Sequence, residues 1–372
     1  GLVCMGLLLV LSSCHTGKQI TASGLQRKDF QTEVNGQHTD LFTLSNKQGM
    51  EVCITNYGAR VVSILVPDRN GKREDVVCGF STITEYMEQR QNFGSTVGRY
   101  IGRILNARFT LDGVEYKLVP NNGKSGHISH GGNPGFADRI WKVEQADTHR
   151  VRLSYLSPDG ENGFPGNLKV TLVYSLGEDD NALDLTYEAT TDAPTVLNLS
   201  HHSFFNISGN FTKSVEDQQL WVDADRFTPY DDKKCVTGEY LPVAGTPLDF
   251  RMPHTIGECI DADHPQLKVV NGYDHTWELN TKGDDTRPAA WVYDPASGRK
   301  MEIFTTEPGM QIYTGNGLKG KMTGKGGIAY PFRSAVCFET MHFQDSPNQP
   351  GFPSTVLRPG EVFRSHTVYK FE

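Results

Sequence analysis

Residues 183–187 read Leu-Asp-Leu-Thr-Tyr, apolar and polar side chains changing at every step. Successive side chains of an extended chain point to opposite faces, so such a run makes a strand with one face buried and the other in water. Val151 to Tyr155 (VRLSY) repeats the pattern, and Met50 to Thr55 and Leu168 to Tyr174 behave alike. Between such runs stand Asn70-Gly71, Asp112-Gly113, Asp159-Gly160 and Asn271-Gly272, pairs that tolerate the backbone of tight hairpin turns. One stretch claims a helix, Thr82 to Arg90, where Thr82 and Glu85 have the spacing of a capping box over Ile83, Tyr86 and Met87. The chain carries 38 Gly and 19 Pro to punctuate short elements, and it shows neither an internal repeat nor an interior linker. These features give an all-β reading: one large antiparallel β-sandwich with few short helices.

The net charge of −8 argues against a nucleic-acid partner, which requires basic patches. The opening GLVCMGLLLVLSSC is an apolar run ending in Leu11-Ser12-Ser13-Cys14. It has the form of a secretory signal's tail (1–13) followed by a bacterial lipobox, with Cys14 as the lipidated residue. The run is too short to span a bilayer, so contact with the membrane is expected through the lipid anchor alone. The expected organisation is a signal remnant over 1–13, a polar tether over 14–28 and a single domain over 29–372. The expected place is that of an exported bacterial lipoprotein, periplasm-facing or anchored in the outer membrane. Cys53, Cys78, Cys235, Cys259 and Cys337 are scattered without C-x-x-C spacing. That is neither a zinc site nor a disulfide framework, although one or two bridges remain open.

Several motifs fail on context. Gly315 to Gly320 matches G-x-G-x-x-G, but KMTGKGGIAYP follows it and cannot be the helix a dinucleotide site needs. His130-Gly131-Gly132 has the form of an esterase oxyanion motif, yet the chain has no G-x-S-x-G elbow. Gly123-Lys124-Ser125 lacks the upstream glycine of a phosphate loop, and Asp68 to Gly71 reads as a hairpin turn.

The adjacent His201 and His202, in LNLSHHSFFNISG (197–209), are more informative. Histidine holds or releases a proton near neutrality. Alternation sends the two to opposite faces, so the pair is poorly built to chelate one metal. Glu339 ends the apolar strand SAVCFET (334–340), where an unpaired charge is costly. Asp274 stands among aromatics in GYDHTW (272–277), a combination suited to sugars. Gln311 interrupts the apolar MQIYTGN, and Arg103 follows the Gly98–Gly102 stretch.

Taken in order, these segments resemble the aldose 1-epimerase (galactose mutarotase) family from about residue 30 to 370. The matching motifs are NYGARVVSILVPDRNG (56–71), GRYIGRI (98–104), SHGGNPGFADRIW (129–141), LSHHSFFNISG (199–209), GYDHTWEL (272–279), MQIYTGNGL (310–318) and CFETMHFQDSPNQPGFPS (337–354). The resemblance implies a galactose mutarotase-like supersandwich that interconverts the α and β anomers of free aldoses. It implies that His202 is the general acid and Glu339 the general base. It also implies that Arg103, His130, Asp274 and Gln311 contact the sugar, with Gly102 and Ser203 beside them in the site. His201 and Gly102 depart from the family's usual residues, an Asn in each case.

Anomer exchange needs only an acid and a base flanking the C1–O5 bond, so no cofactor and no metal are expected. With unperturbed values of about 4.3 for Glu and about 6.5 for His, Glu339 is expected ionised and His202 partly protonated. A non-catalytic sugar-binding lipoprotein and a hexose-phosphate 1-epimerase remain alternatives. The second needs further cations to hold phosphate, and only Arg103 and Arg99 are candidates. The oligomeric state is not legible.

Overall fold

The alternating runs pair with one another. Leu168–Leu176 and Ala182–Thr191 lie antiparallel, in register from Leu168↔Thr191 to Leu176↔Leu183. Val170, Leu172, Leu183 and Leu185 are fully buried, whereas Lys169 and Glu188 face water. The computed structural model describes residues 19–372. Within it these strands belong to a nine-stranded sheet. Its order is Lys142–Ala146, Arg150–Ser157, Leu168–Leu176, Ala182–Thr191, Phe363–Phe371, Lys300–Thr305, Ala290–Tyr293, Gln219–Val222, His254–Thr255.

A six-stranded antiparallel sheet runs Phe204–Phe205, Val336–Met341, Gly309–Tyr313, Asp274–Glu278, Arg226–Thr228, Leu241–Pro242, and a four-stranded one covers Leu41–Ser45 to Arg73–Asp75. Their inner faces meet the nine-stranded sheet in one cluster. Leu153, Leu172, Leu185 and Tyr369 pack there with Trp277, Ile312, Val336 and Phe338 and with Val52, Ile54 and Val61. Each such side chain contributes about 1.5–3 kcal/mol on burial, and their seam holds the sheets face to face as the expected sandwich.

Val336–Met341 is buried along its whole length. Val336 and Phe338 enter the main core, so alternation turns Cys337, Glu339 and Met341 to the sheet's other face. That second covered face is where a buried carboxylate has a use.

The expected helix is present as Ile83–Gln89, and its capping box is formed by Thr82 and Glu85, with N–H···O distances of 3.2 and 3.0 Å. A second helix, Pro265–Val270, escaped the sequence reading because six residues are too few to display a helical period. The polar stretch expected as a tether is corrected over 19–28. Leu25 is buried, Ile20 bridges Gln26, and the Ala22 and Ser23 amides donate to the Glu51 carboxylate. A polar segment is docked here because its backbone amides have a buried acceptor. Cys53, Cys78, Cys235, Cys259 and Cys337 are all free thiols. The signal-like run and Cys14 lie outside the described residues.

Candidate active site

The six-stranded sheet aligns the polar residues that sequence reading singled out. Glu339 is in register with Gln311, and Gln311 with Thr276. Paired residues on neighbouring strands share a face at a spacing of about 4.8 Å. Glu339, Gln311 and Thr276 therefore form a row across three strands, with Asp274 two residues along on the same face. The strand Ser200–His202, paired with Ser95–Val97, brings His202 over this row, its Nε2 3.3 Å from Glu339 Oε1. His202 stacks on Phe204 at 5.0 Å between ring centroids.

Residues 98–104 and 129–130 close the opposite wall. His130 sits in the left-handed region at φ 52°, at a cost of about 1–2 kcal/mol for a residue with a Cβ. In that conformation His130 Nδ1 accepts the Gly102 N–H at 3.2 Å. The ring proton is thereby assigned to Nε2, and the ring lies edge-on to His202 at 5.5 Å. Burial, followed by the Arg103 charge, lowers His130 to about 4, so it is neutral at physiological pH.

Together these side chains enclose a cavity of about 280 Å³ lined by Gly102, Arg103, His130, His202, Asp274, Gln311 and Glu339. That is near the lower end of small-molecule pockets, which run from about 300 to 1,000 Å³. Among the described lining residues, Arg103 is the lone Arg or Lys. Arg99 is engaged elsewhere, its two terminal nitrogens donating to Pro165 O, Ser157 Oγ and Thr195 Oγ1 in the interior.

Ser203 is a correction. It does not line the cavity; its Oγ is 2.6 Å from His201 Nε2. Residues 201 and 203 share the face opposite His202, as alternation requires. His201 is thus a core residue with its hydrogen bonds satisfied. Tyr174 gives its proton to Ala59 O, so His201 Nδ1–H donates to the Tyr174 oxygen, and Nε2 accepts from Ser203. Burial lowers His201 to about 3.

The central pair departs from the expectation based on free pKa values. Burial is the largest influence on both groups, pushing His202 well below its ordinary value and Glu339 well above its own. The charged forms lose water and only partly regain stabilisation from each other. Burial therefore favours a neutral imidazole beside a neutral carboxylic acid over the ion pair. This state carries the same number of protons as the ion pair. Asp274 is also raised by burial, an effect opposed by the hydrogen bond it accepts from Gln311 Nε2 at 2.8 Å.

The ligating atoms of His202, Cys337 and Glu339 lie within 4.8 Å of one another. Burial holds the Cys337 thiol protonated, and a protonated thiol is a poor metal ligand. Sequence reading singled out neither Tyr230 nor Gln344 for the site, and it also passed over Gln91, Asn92, Ser129, Tyr313 and Met341 in the lining. Gln344 lies inside a quoted motif, CFETMHFQDSPNQPGFPS, but in a turn beyond the strand, where no periodicity marks it.

Known proteins share this sequence and this fold. The aldose 1-epimerase family model matches residues 40–370. The galactose mutarotase of Sus scrofa is 39% identical over 330 residues, covering 89% of this chain and 93% of that protein. The aldose 1-epimerase of Escherichia coli K12 is 36% identical over 339 residues, covering 91% and 96%. Among solved structures, an aldose epimerase homologue from C. elegans superposes with a TM-score of 0.82 at 31% identity, covering 90% of this chain and 99% of that one. A galactose 1-epimerase from Lactobacillus acidophilus gives 0.79 at 28%, covering 92% and 96%. The chain belongs to the aldose 1-epimerase family.

Proposed function

We infer that this chain interconverts the α and β anomers of free aldoses, and we propose that it does so by moving one proton within the His202–Glu339 pair. The observation that carries the reading is the 3.3 Å approach of His202 Nε2 to Glu339 Oε1 in a pocket whose other polar groups suit hydroxyls. The pair holds one labile proton. With that proton on His202, the Glu339 carboxylate takes the proton of O1 while His202 gives its own to O5. The C1–O5 bond breaks, leaving an open-chain aldehyde beside neutral histidine and protonated glutamate. Rotation about C1–C2 presents the other face. Glu339 then returns a proton to O1, His202 recovers one from O5, and the ring closes.

Burial favours the neutral pair that accompanies the aldehyde over the ionic pair that begins the cycle. No charge enters or leaves the site at any step. Arg103, the lone Arg or Lys among the described lining residues, supports a free sugar over a sugar phosphate, which is normally held by several cationic donors. Polarimetry on freshly dissolved α-D-galactose or α-D-glucose tests the reading. The wild type accelerates the approach to rotational equilibrium, and Glu339→Gln loses most of that acceleration. A wild type that binds sugar without accelerating it is a sugar-binding protein.

We also propose that Cys14 carries a lipid that tethers an exported form of this protein to a bacterial membrane, on the strength of Leu11-Ser12-Ser13-Cys14 after an apolar run. Mass spectrometry of the native N-terminal peptide tests this, and an unacylated Cys14 within a longer peptide overturns it.

A further inference from the structure

The hydrogen bonds around Tyr230 fix the direction of its hydroxyl. Gln344 Oε1 accepts the Arg103 backbone N–H at 3.2 Å, which fixes the orientation of that amide. Gln344 Nε2 then donates to the Tyr230 oxygen at 2.9 Å. The hydroxyl of Thr276 donates to Gln311 Oε1, which fixes the second amide. Gln311 Nε2 in turn donates to the Tyr230 oxygen at 3.2 Å and to Asp274 Oδ1 at 2.8 Å. The Tyr230 oxygen thus accepts two N–H bonds, filling its acceptor capacity. Its own proton has no protein acceptor among the described residues, and the residue lines the cavity. A buried donor without an acceptor is costly. The free donor stands in the wall of the cavity that a ligand would fill.

Gly102 makes the arrangement possible. Its φ is +76°, and a Cβ placed there would lie 2.5 Å from Gln344 Cγ. Gln344 occupies the space that any side chain at position 102 would need.

Resting on the epimerase reading above, we propose that Tyr230 and Asp274 read two neighbouring hydroxyls of the aldose away from its anomeric carbon. Tyr230 donates to one hydroxyl and Asp274 accepts from the other. Gln344, admitted by Gly102, is the positioning residue that makes Tyr230 a donor. Both readers accept a hydrogen bond from the same Gln311 amide nitrogen, which places them side by side, as a vicinal diol requires. An alkyl or deoxygenated edge presented there would leave the Tyr230 proton unmatched.

The test is a set of variants, Tyr230→Phe, Gln344→Ala, Gly102→Asn and the pairwise doubles, assayed on the parent aldose and on its monodeoxy analogues. Asn is chosen at position 102 because it tolerates the left-handed backbone better than other residues bearing a Cβ. On the parent sugar each single variant is expected to raise KM about tenfold, the usual scale of one hydrogen bond to an uncharged group, with a smaller change in kcat. On one monodeoxy analogue, that lacking the hydroxyl read by Tyr230, wild type and variants converge. The doubles Gly102→Asn/Gln344→Ala and Tyr230→Phe/Gln344→Ala are no worse than the worse single.

Penalties that multiply in the doubles, or that persist unchanged on every deoxy sugar, overturn the proposal. If Gly102→Asn does not fold, the Tyr230–Gln344 pair carries the test alone. Failure of the epimerase reading is distinct: the wild type then lacks activity on every sugar, while calorimetric sugar binding still reports the same couplings and decides the assignment.

Discussion

The protein pairs histidine with carboxylate in two contrasting places. In the pocket, His202 meets Glu339 at 3.3 Å with both side chains almost fully buried. On the outer side of the nine-stranded sheet, His366 lies between Asp184, at 2.8 Å, and Asp285, at 2.6 Å, with about a third of each side chain in water. His366 is pushed up to about 9, the Asp184 hydrogen bond being the largest influence, whereas His202 is pushed down chiefly by burial. The residue types are the same and the directions opposite. Where water still solvates the ions, the partner charges win; where it is excluded, desolvation wins. A His–carboxylate contact therefore becomes proton-transfer machinery through its surroundings, and on the surface the same contact is an ion pair.

Breaking each pair separates the two cases. Glu339→Gln or His202→Asn is expected to lower kcat by about 10²–10⁴-fold, the usual worth of a positioned acid or base, with the circular-dichroism spectrum intact. His366→Asn is expected to leave kcat unchanged. A pocket variant within a few-fold of wild type would remove the pair from the mechanism.

The pH profile sharpens the same contrast. The active pair holds one proton. The second proton binds only below the lowered His202 value, and the last leaves only above the raised Glu339 value. The acid limb of kcat/KM is therefore expected well below the ordinary 6.5 of His202, and the alkaline limb well above the ordinary 4.5 of Glu339. A profile with limbs at those ordinary values would show that burial does not govern the pair. Smaller still is the effect of Asp274→Ala, which removes a hydroxyl acceptor and leaves the proton-transfer pair in place. KM is expected to rise about tenfold, more than kcat falls, and initial rates over a sugar concentration series read the split.

The difference between the two histidine sites was only partly legible in the sequence. Strand alternation marked Leu168–Leu176 and Ala182–Thr191 because each has one wet face. Ordered motifs located His202 and Glu339. Alternation also separated His201 from His202, and one further step along the strand would have placed Ser203 with His201 in the core. Tyr230 and Gln344 carried no signal, since one stands at an isolated bridge and the other in a turn, and their approach to Gln311 depends on tertiary packing. The pKa directions were hidden for a related reason. A sequence shows that a carboxylate and an imidazole are present, but only the enclosing sheets decide how much water they keep.

The outer pair supplies the smallest prediction, and its sign differs from that of most carboxylate pairs. His366 has a folded value of about 9 against an ordinary 6.5. Its contribution to stability is complete below pH 6.5, where the histidine is charged in both folded and unfolded chains. It is lost as pH rises through about 9, where the folded protein must release the proton. The partial exposure of the group limits the effect to the scale of a surface ion pair, about 1 kcal/mol or less. The expected change in Tm is on the order of 1–3 °C. Melting curves of wild type and His366→Asn recorded between pH 6 and 10 should converge on the alkaline side, the wild type losing its advantage as His366 is deprotonated. A gap that stays constant across that range would mean that His366 contributes packing alone, and that Asp184 and Asp285 do not hold its charge.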